Sequence, residues 1–109
     1  MKKYPLGEFE EIVLLTVGIL YDDAYGVAIK QEMETQLERK ISVGALQAAL
    51  RRMEKKGYLA SREGESNSLR GGRPKRFFKI TAHGKKALVH ARDIRTKLWN
   101  QIPKIALDL

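Results

Sequence analysis

The stretch from Ser42 to Ile80, SVGALQAALRRMEKKGYLASREGESNSLRGGRPKRFFKI, constrains the fold more than any other part of the chain. Val43, Leu46, Leu50 and Met53 recur at the three-and-four spacing of one helical face. The opposite face opens with small or hydrogen-bonding residues (Gly44, Ala45, Gln47, Ala48) and continues with Arg51, Arg52, Lys55 and Lys56. Small groups at the front of a helix allow close approach to a surface, and cations further along can hold that surface by its phosphates. Gly57 stands where a helix C-terminus favours a left-handed residue. Then Tyr58–Glu65 and Arg76–Ile80 flank the loop SNSLRGGRP, too polar and glycine-rich for a buried element. A basic amphipathic helix alone is usually a solvated face, and a Gly/Ser-rich tip alone is usually a turn. Adjacent and in this order, helix, hairpin and basic loop predict a winged helix-turn-helix, a device for reading DNA.

The remaining composition narrows the class. A chain of 109 residues, 43% apolar and 31% charged, suits one soluble domain with a modest core. No run is long enough to cross a bilayer, and the opening MKKYPLGEFEE lacks an apolar signal core, so a cytoplasmic protein is expected. Cysteine is absent, which excludes disulfides and thiolate metal sites. The net charge of +8 is unevenly spread. Residues 1–38 carry three cations and eight acids, a balance of −5, and residues 39–109 carry eighteen cations and five acids, a balance of +13. A basic half joined to an acidic half points to one directed polyanion-binding face. A membrane-surface role is disfavoured, because the cations straddle a helix and a hairpin instead of striping one long helix.

Upstream, a first helix should begin near Gly7 or Glu8, with Phe9, Ile12, Val13, Thr16, Val17 and Leu20 as its stripe. Glu8, Glu10 and Glu11 favour the positive end of its dipole and keep it away from DNA. Asp22 or Asp23 is the expected N-cap of a second helix, about Tyr25 to Leu37, that buries Tyr25, Ile29, Met33 and Leu37. Lys40-Ile41 is a short extended link, and Ser42 caps the third helix. In the returning strand, Phe78 and Ile80 share one face and Phe77 and Lys79 the other, as in a sheet packed on one side. Arg70, Arg73, Lys75 and Arg76 put four cations in seven residues at the hairpin tip, and arginine is drawn to narrow minor grooves. Thr81 caps a fourth helix that runs to about Ile102, before Pro103. Its stripe of Leu88, Ala91, Ile94, Leu98, Trp99 and Ile102 exceeds what so small a domain can cover, which predicts a homodimer.

Catalytic chemistry is missing. His83 and His90 have no carboxylate at a zinc-like spacing, GGRPK lacks a phosphate-loop pattern, and Ser42, Ser61, Ser66 and Ser68 have no evident base. No enzyme, metal site or cofactor is expected.

Four pieces of the chain, LGEFEEIVLLTVGIL, AYGVAIKQEME, ISVGALQAALRRMEKKGYL and GGRPKRFFKITAHGKKAL, resemble the PadR family of bacterial transcriptional regulators, in the family's order. They span roughly Leu6 to Leu88. The resemblance implies a homodimeric winged-helix repressor whose C-terminal helix makes the dimer, in the family's smaller branch. By position it implies that Ser42, Gly44, Ala45 and Gln47 meet the major groove and that Arg73, Lys75 and Arg76 lie on the wing. Where the family commonly has Thr-Leu-Tyr-Pro, this chain has Ala45-Leu46-Gln47-Ala48, and Gln47 retains the ability to read adenine bidentately. Several members of the family sense phenolic acids or aromatic drugs near the dimer interface, which makes Trp99 the candidate to stack on a small aromatic effector.

The expectation is a mainly α chain with a small β-hairpin: a winged helix-turn-helix DNA-binding domain over residues 1–80 and a dimerisation helix over 81–109. The expected DNA contacts are Ser42, Gly44, Ala45, Gln47, Ala48, Arg51, Arg70, Arg73, Lys75 and Arg76. Leu88, Ala91, Ile94, Leu98, Trp99 and Ile102 form the expected dimer face, and double-stranded operator DNA and a second copy are the expected partners. One rival is a non-specific basic protein that binds RNA or DNA, though an aromatic stacking pattern is lacking. A winged-helix module for protein partners is the other, and it leaves the +13 half without a purpose.

Overall fold

A computed structural model of the chain describes residues 3–64 and 74–108. Its elements in chain order are α1 (Glu8–Leu20), a 3-10 turn (Tyr21–Asp23), α2 (Gly26–Leu37), α3 (Val43–Lys55), β1 (Leu59–Glu63), β2 (Arg76–Ile80), α4 (Ala82–Gln101) and the single turn α5 (Lys104–Leu107). α1 begins where expected. The Gly7 amide donates to Glu10 Oε1 at 3.0 Å, which satisfies a donor that the start of a helix leaves without a partner. Val13, Leu14, Thr16 and Val17 are buried, while Phe9, Ile12 and Leu20 pack at the margin of the core, so Leu14 joins the expected stripe.

The start of α2 departs from expectation. Asp22 and Asp23 lie in the 3-10 turn, and the residue at the N-cap is Tyr25, with no side-chain cap. The hairpin accounts for the shift. The Phe78 amide donates to the Ala24 carbonyl at 2.8 Å, and Tyr25 forms a bridge with Phe77, so Ala24 and Tyr25 are drawn out as a short extension of the sheet before α2 can begin. Ile29 and Met33 are fully buried, with Leu37 packed beside the core.

Between α2 and α3, Glu38 takes a left-handed conformation (φ 53°) and Ile41 plugs the core. Glu34 fixes this turn by accepting from the Ile41 amide at 2.8 Å and from Lys30 Nζ at 3.1 Å. The Ile41 bond, followed by that from Lys30, holds the Glu34 carboxyl below the usual carboxylate range. On α3 the buried set is Leu46, Ala49, Leu50 and Met53. Val43, expected on that face, is 58% exposed: it stands in the first turn, beyond the packed part of the helix, and lines an open cleft beside α2 and the hairpin. Gly57, at φ 80°, ends the helix as its position predicts.

β1 and β2 pair antiparallel from Leu59↔Ile80 to Glu63↔Arg76. Tyr58 precedes the strand and is buried, its hydroxyl donating to the Pro5 carbonyl at 3.1 Å. Phe78 points into the core and Lys79 outward, as the alternation requires. Thr81 caps α4, accepting from the Gly84 amide at 3.0 Å. Only the first half of α4 packs on the core, through Gly84, Ala87 and Leu88. The remainder projects from a molecule 60 Å long and 22 Å thick.

Candidate nucleic-acid interface

Ser42 organises the front of α3: its Oγ accepts from the Ala45 amide at 3.2 Å, three residues on. The cap starts the helix so that Gly44, Ala45, Gln47 and Arg51 face outward, with Ala48 half-buried behind them. A Cβ on Gly26 would sit 3.4 Å from Gln47 Nε2, so the Gln47 side chain lies beside the first turn of α2.

The rear cations of α3 divide. Arg51 and Lys55 are exposed, whereas Arg52 and Lys56 reach Glu10 of α1 at 3.2 and 2.9 Å. The sequence places all four on one open face, and the structure shows that two of them also hold α3 onto α1. The Glu10 side chain is only 8% exposed. Burial opposes its ionisation, but bonds from the Gly7 amide, Lys56 and Arg52 outweigh burial and keep its carboxyl below the usual range. Burial, reinforced by the Glu10 charge, raises the nearby Tyr58 phenol above its ordinary value. The acids of α1 thus neutralise cations internally and leave the outer face of α3 positive.

At the base of the wing, Arg76 donates to Ser61 Oγ at 2.9 Å and lies 3.5 Å from a Glu63 oxygen, while the Ser61 hydroxyl donates to Glu54 at 2.7 Å. Lys75 Nζ sits 3.9 Å from the centre of the Tyr25 ring, a close cation–π contact. Arg70 and Arg73, expected at the tip, lie outside the described residues. Sequence reasoning missed two residues on this face, Tyr25 and Lys30. Both line the cleft between α2, α3 and the wing, along with Lys75 and Arg76. Lys30 belongs to the acidic half of the chain, so charge counted by segment could not reveal it.

Away from this face, Ile94, Leu98, Trp99 and Ile102 leave an apolar stripe on α4, Trp99 being 64% exposed. Leu88 and Ala91, expected in the same stripe, are half-buried, Leu88 against the core. The Arg95 guanidinium lies 2.6 Å from the Glu11 carboxylate and ties the middle of α4 to α1. His83 lies tilted against both Tyr4 and Tyr58, at ring separations of 5.6 and 5.0 Å, and His90 flanks Tyr4 at 5.4 Å. Among the described residues no group of three or more His, Cys, Asp or Glu side chains could hold a metal ion, and no helix is long and apolar enough to cross a membrane.

Three packed helices, the third presenting a polar and basic face beside a two-stranded hairpin, define a winged-helix DNA-binding protein. Residues 14–90 match the model of the transcriptional regulator PadR-like family, and the chain belongs to that family. It is accordingly a DNA-binding transcriptional regulator and not an enzyme. No curated protein matches the sequence. Similar folds occur in a PadR-like transcription factor from Bacteroides fragilis (22% identity, TM-score 0.72, 89% of this chain and 88% of that one). They occur also in a PadR family transcriptional regulator from Eggerthella lenta (23% identity, TM-score 0.68, 94% and 88%). A third is RosR of H. salinarum (20% identity, TM-score 0.70, 94% and 86%).

Proposed function

We propose that the protein is a cytoplasmic, homodimeric repressor that inserts α3 into the major groove of an operator. Ser42, Gly44, Ala45, Gln47 and Ala48 form the groove-facing front, and Arg51 holds a phosphate behind them. Gln47 reads a base edge. On the wing, Arg70, Arg73, Lys75 and Arg76 hold the flanking phosphates or minor groove. The observation that carries this reading is the exposed, uncharged front of α3, capped by Ser42, with Arg51 exposed behind it while Glu10 pairs with Arg52 and Lys56. The exposed stripe of Ile94, Leu98, Trp99 and Ile102 supports dimerisation through α4, extended by Leu88 and Ala91. On that stripe Trp99 offers a surface for a small aromatic effector that relieves repression.

The test is binding of the purified protein to duplex DNA from upstream of its own gene and to scrambled duplex of equal length, titrated over salt. A large affinity ratio with a steep salt slope, several phosphate counterions being displaced, is expected of a specific repressor. Equal, weak and salt-sensitive binding to both duplexes would favour a non-specific basic nucleic-acid binder. No binding at low salt would refute the nucleic-acid reading.

A further inference from the structure

The cleft between α2, α3 and the base of the wing has Val27, Val43, Leu46 and Phe78 in its wall, and Lys30, Lys75, Arg76 and Gln47 bring its polar groups, with no acidic residue among the described lining. Lys30 and Arg76 are held from outside the cleft, and Lys75 by a residue of its wall. Lys30 is tethered by Glu34, Arg76 by Ser61 and Glu63, and Lys75 by the ring of Tyr25. The Tyr25 ring is itself fixed. Its backbone bridges to Phe77, its ring meets the Phe77 ring edge-on at 5.6 Å, and Arg62 covers the Phe77 ring at 4.8 Å. The order Arg62, Phe77, Tyr25, Lys75 therefore runs as one stack from β1 across β2 to the start of α2.

We propose that this cleft seats one backbone phosphate of bound DNA, and that Tyr25 is the positioning residue that holds Lys75 ready for it. The inference rests on the reading that α3 and the wing face DNA. A free lysine has four rotatable bonds and loses much of that freedom on forming a contact. Lys75, lying against a ring that the sheet holds in place, has lost part of it before DNA arrives, so less is lost on binding. The cleft touches α2 through Lys30, α3 through Gln47 and the wing through Lys75 and Arg76. A phosphate seated there ties the recognition helix and the wing to the same nucleotide and sets their register on the duplex.

The test uses a random-sequence duplex, because a phosphate seat is indifferent to sequence, and reads the slope of log affinity against log salt. Lys75→Met is expected to lower the slope by about one, and Lys30→Met, which touches none of the stack, to lower it as well. Tyr25→Leu is expected to weaken binding about two- to fivefold and to flatten the slope, with little added effect in the Tyr25→Leu/Lys75→Met double variant. Tyr25→Phe, which keeps the ring, should bind as the parent does, and melting curves establish that each variant is folded. An unchanged slope for Lys75→Met would overturn the wing reading and the seat with it. A normal slope for Lys30→Met would overturn the seat alone. Loss with Lys75→Met but not with Tyr25→Leu, or full additivity of the two, would overturn the role of Tyr25 and leave the wing reading standing.

Discussion

Gly84 shows how one absent side chain positions an element. A Cβ at this position would lie 2.2 Å from the Tyr58 carbonyl oxygen, a backbone atom held against the buried turn that leads into β1. Gly84→Ala should therefore destabilise the fold by roughly 1–3 kcal/mol, the range for overpacking, although alanine is the better helix former. Chemical denaturation measures it, and a neutral or stabilising result would mean that α4 can move off the hairpin at little cost. Glu10 shows the reverse, one side chain serving three partners: the Gly7 amide, Arg52 and Lys56. Because its folded pKa lies below the ordinary 4.5, its contribution to stability is present above that value and is lost as pH falls through the lower folded one. Glu10→Gln should lose roughly 1–2 kcal/mol at neutral pH. The difference from the parent should shrink in acid, which urea titrations at pH 7 and below pH 4 would reveal.

Among the elements, α3 and α4 were legible in the sequence because their caps are local. Ser42 and Thr81 each accept from an amide three residues on, and apolar residues follow at helical spacing. What the sequence hid was set by partners far away in the chain. Ala24 and Tyr25 leave the helix because Phe78 and Phe77 pair with them, and Arg52 and Lys56 are drawn to α1 because Glu10, more than forty residues earlier, binds them. Periodicity records which face of an element is apolar but not which distant charge its cations will meet. The exposure of the candidate site's front, Ser42 to Gln47, was therefore legible in the sequence, and the ion pairs at its rear were not. The cap also offers a test at this scale. Ser42→Ala should lower stability by about 1 kcal/mol, and Ser42→Gly by only a few tenths. Equal losses in thermal melts would show that Ser42 contributes something other than its cap.

Over the whole molecule, one end is a packed head and the other a bare helix. Ile94, Leu98, Trp99 and Ile102 share the exposed part of α4, where Leu98 is 59% and Trp99 64% exposed. If two copies bury this stripe, Leu98→Glu places a carboxylate in an apolar seam and should weaken self-association on the order of 100-fold or more, with the head still folded. Sedimentation at micromolar concentration, paired with a melting curve, reads both. Unchanged association would place the interface elsewhere. The Glu11–Arg95 pair adds a geometric consequence. It joins α1 to the middle of α4 and so helps, with the packing of Gly84, Ala87 and Leu88, to set the angle at which the shaft leaves the head. In a dimer joined along its shafts, that angle sets how far apart the two reading heads stand. DNA accepts such pairs of heads only in steps of about one helical turn, roughly 34 Å. If two copies join along their shafts and both heads meet one duplex, the spacer between the half-sites of the target sequence follows from that angle.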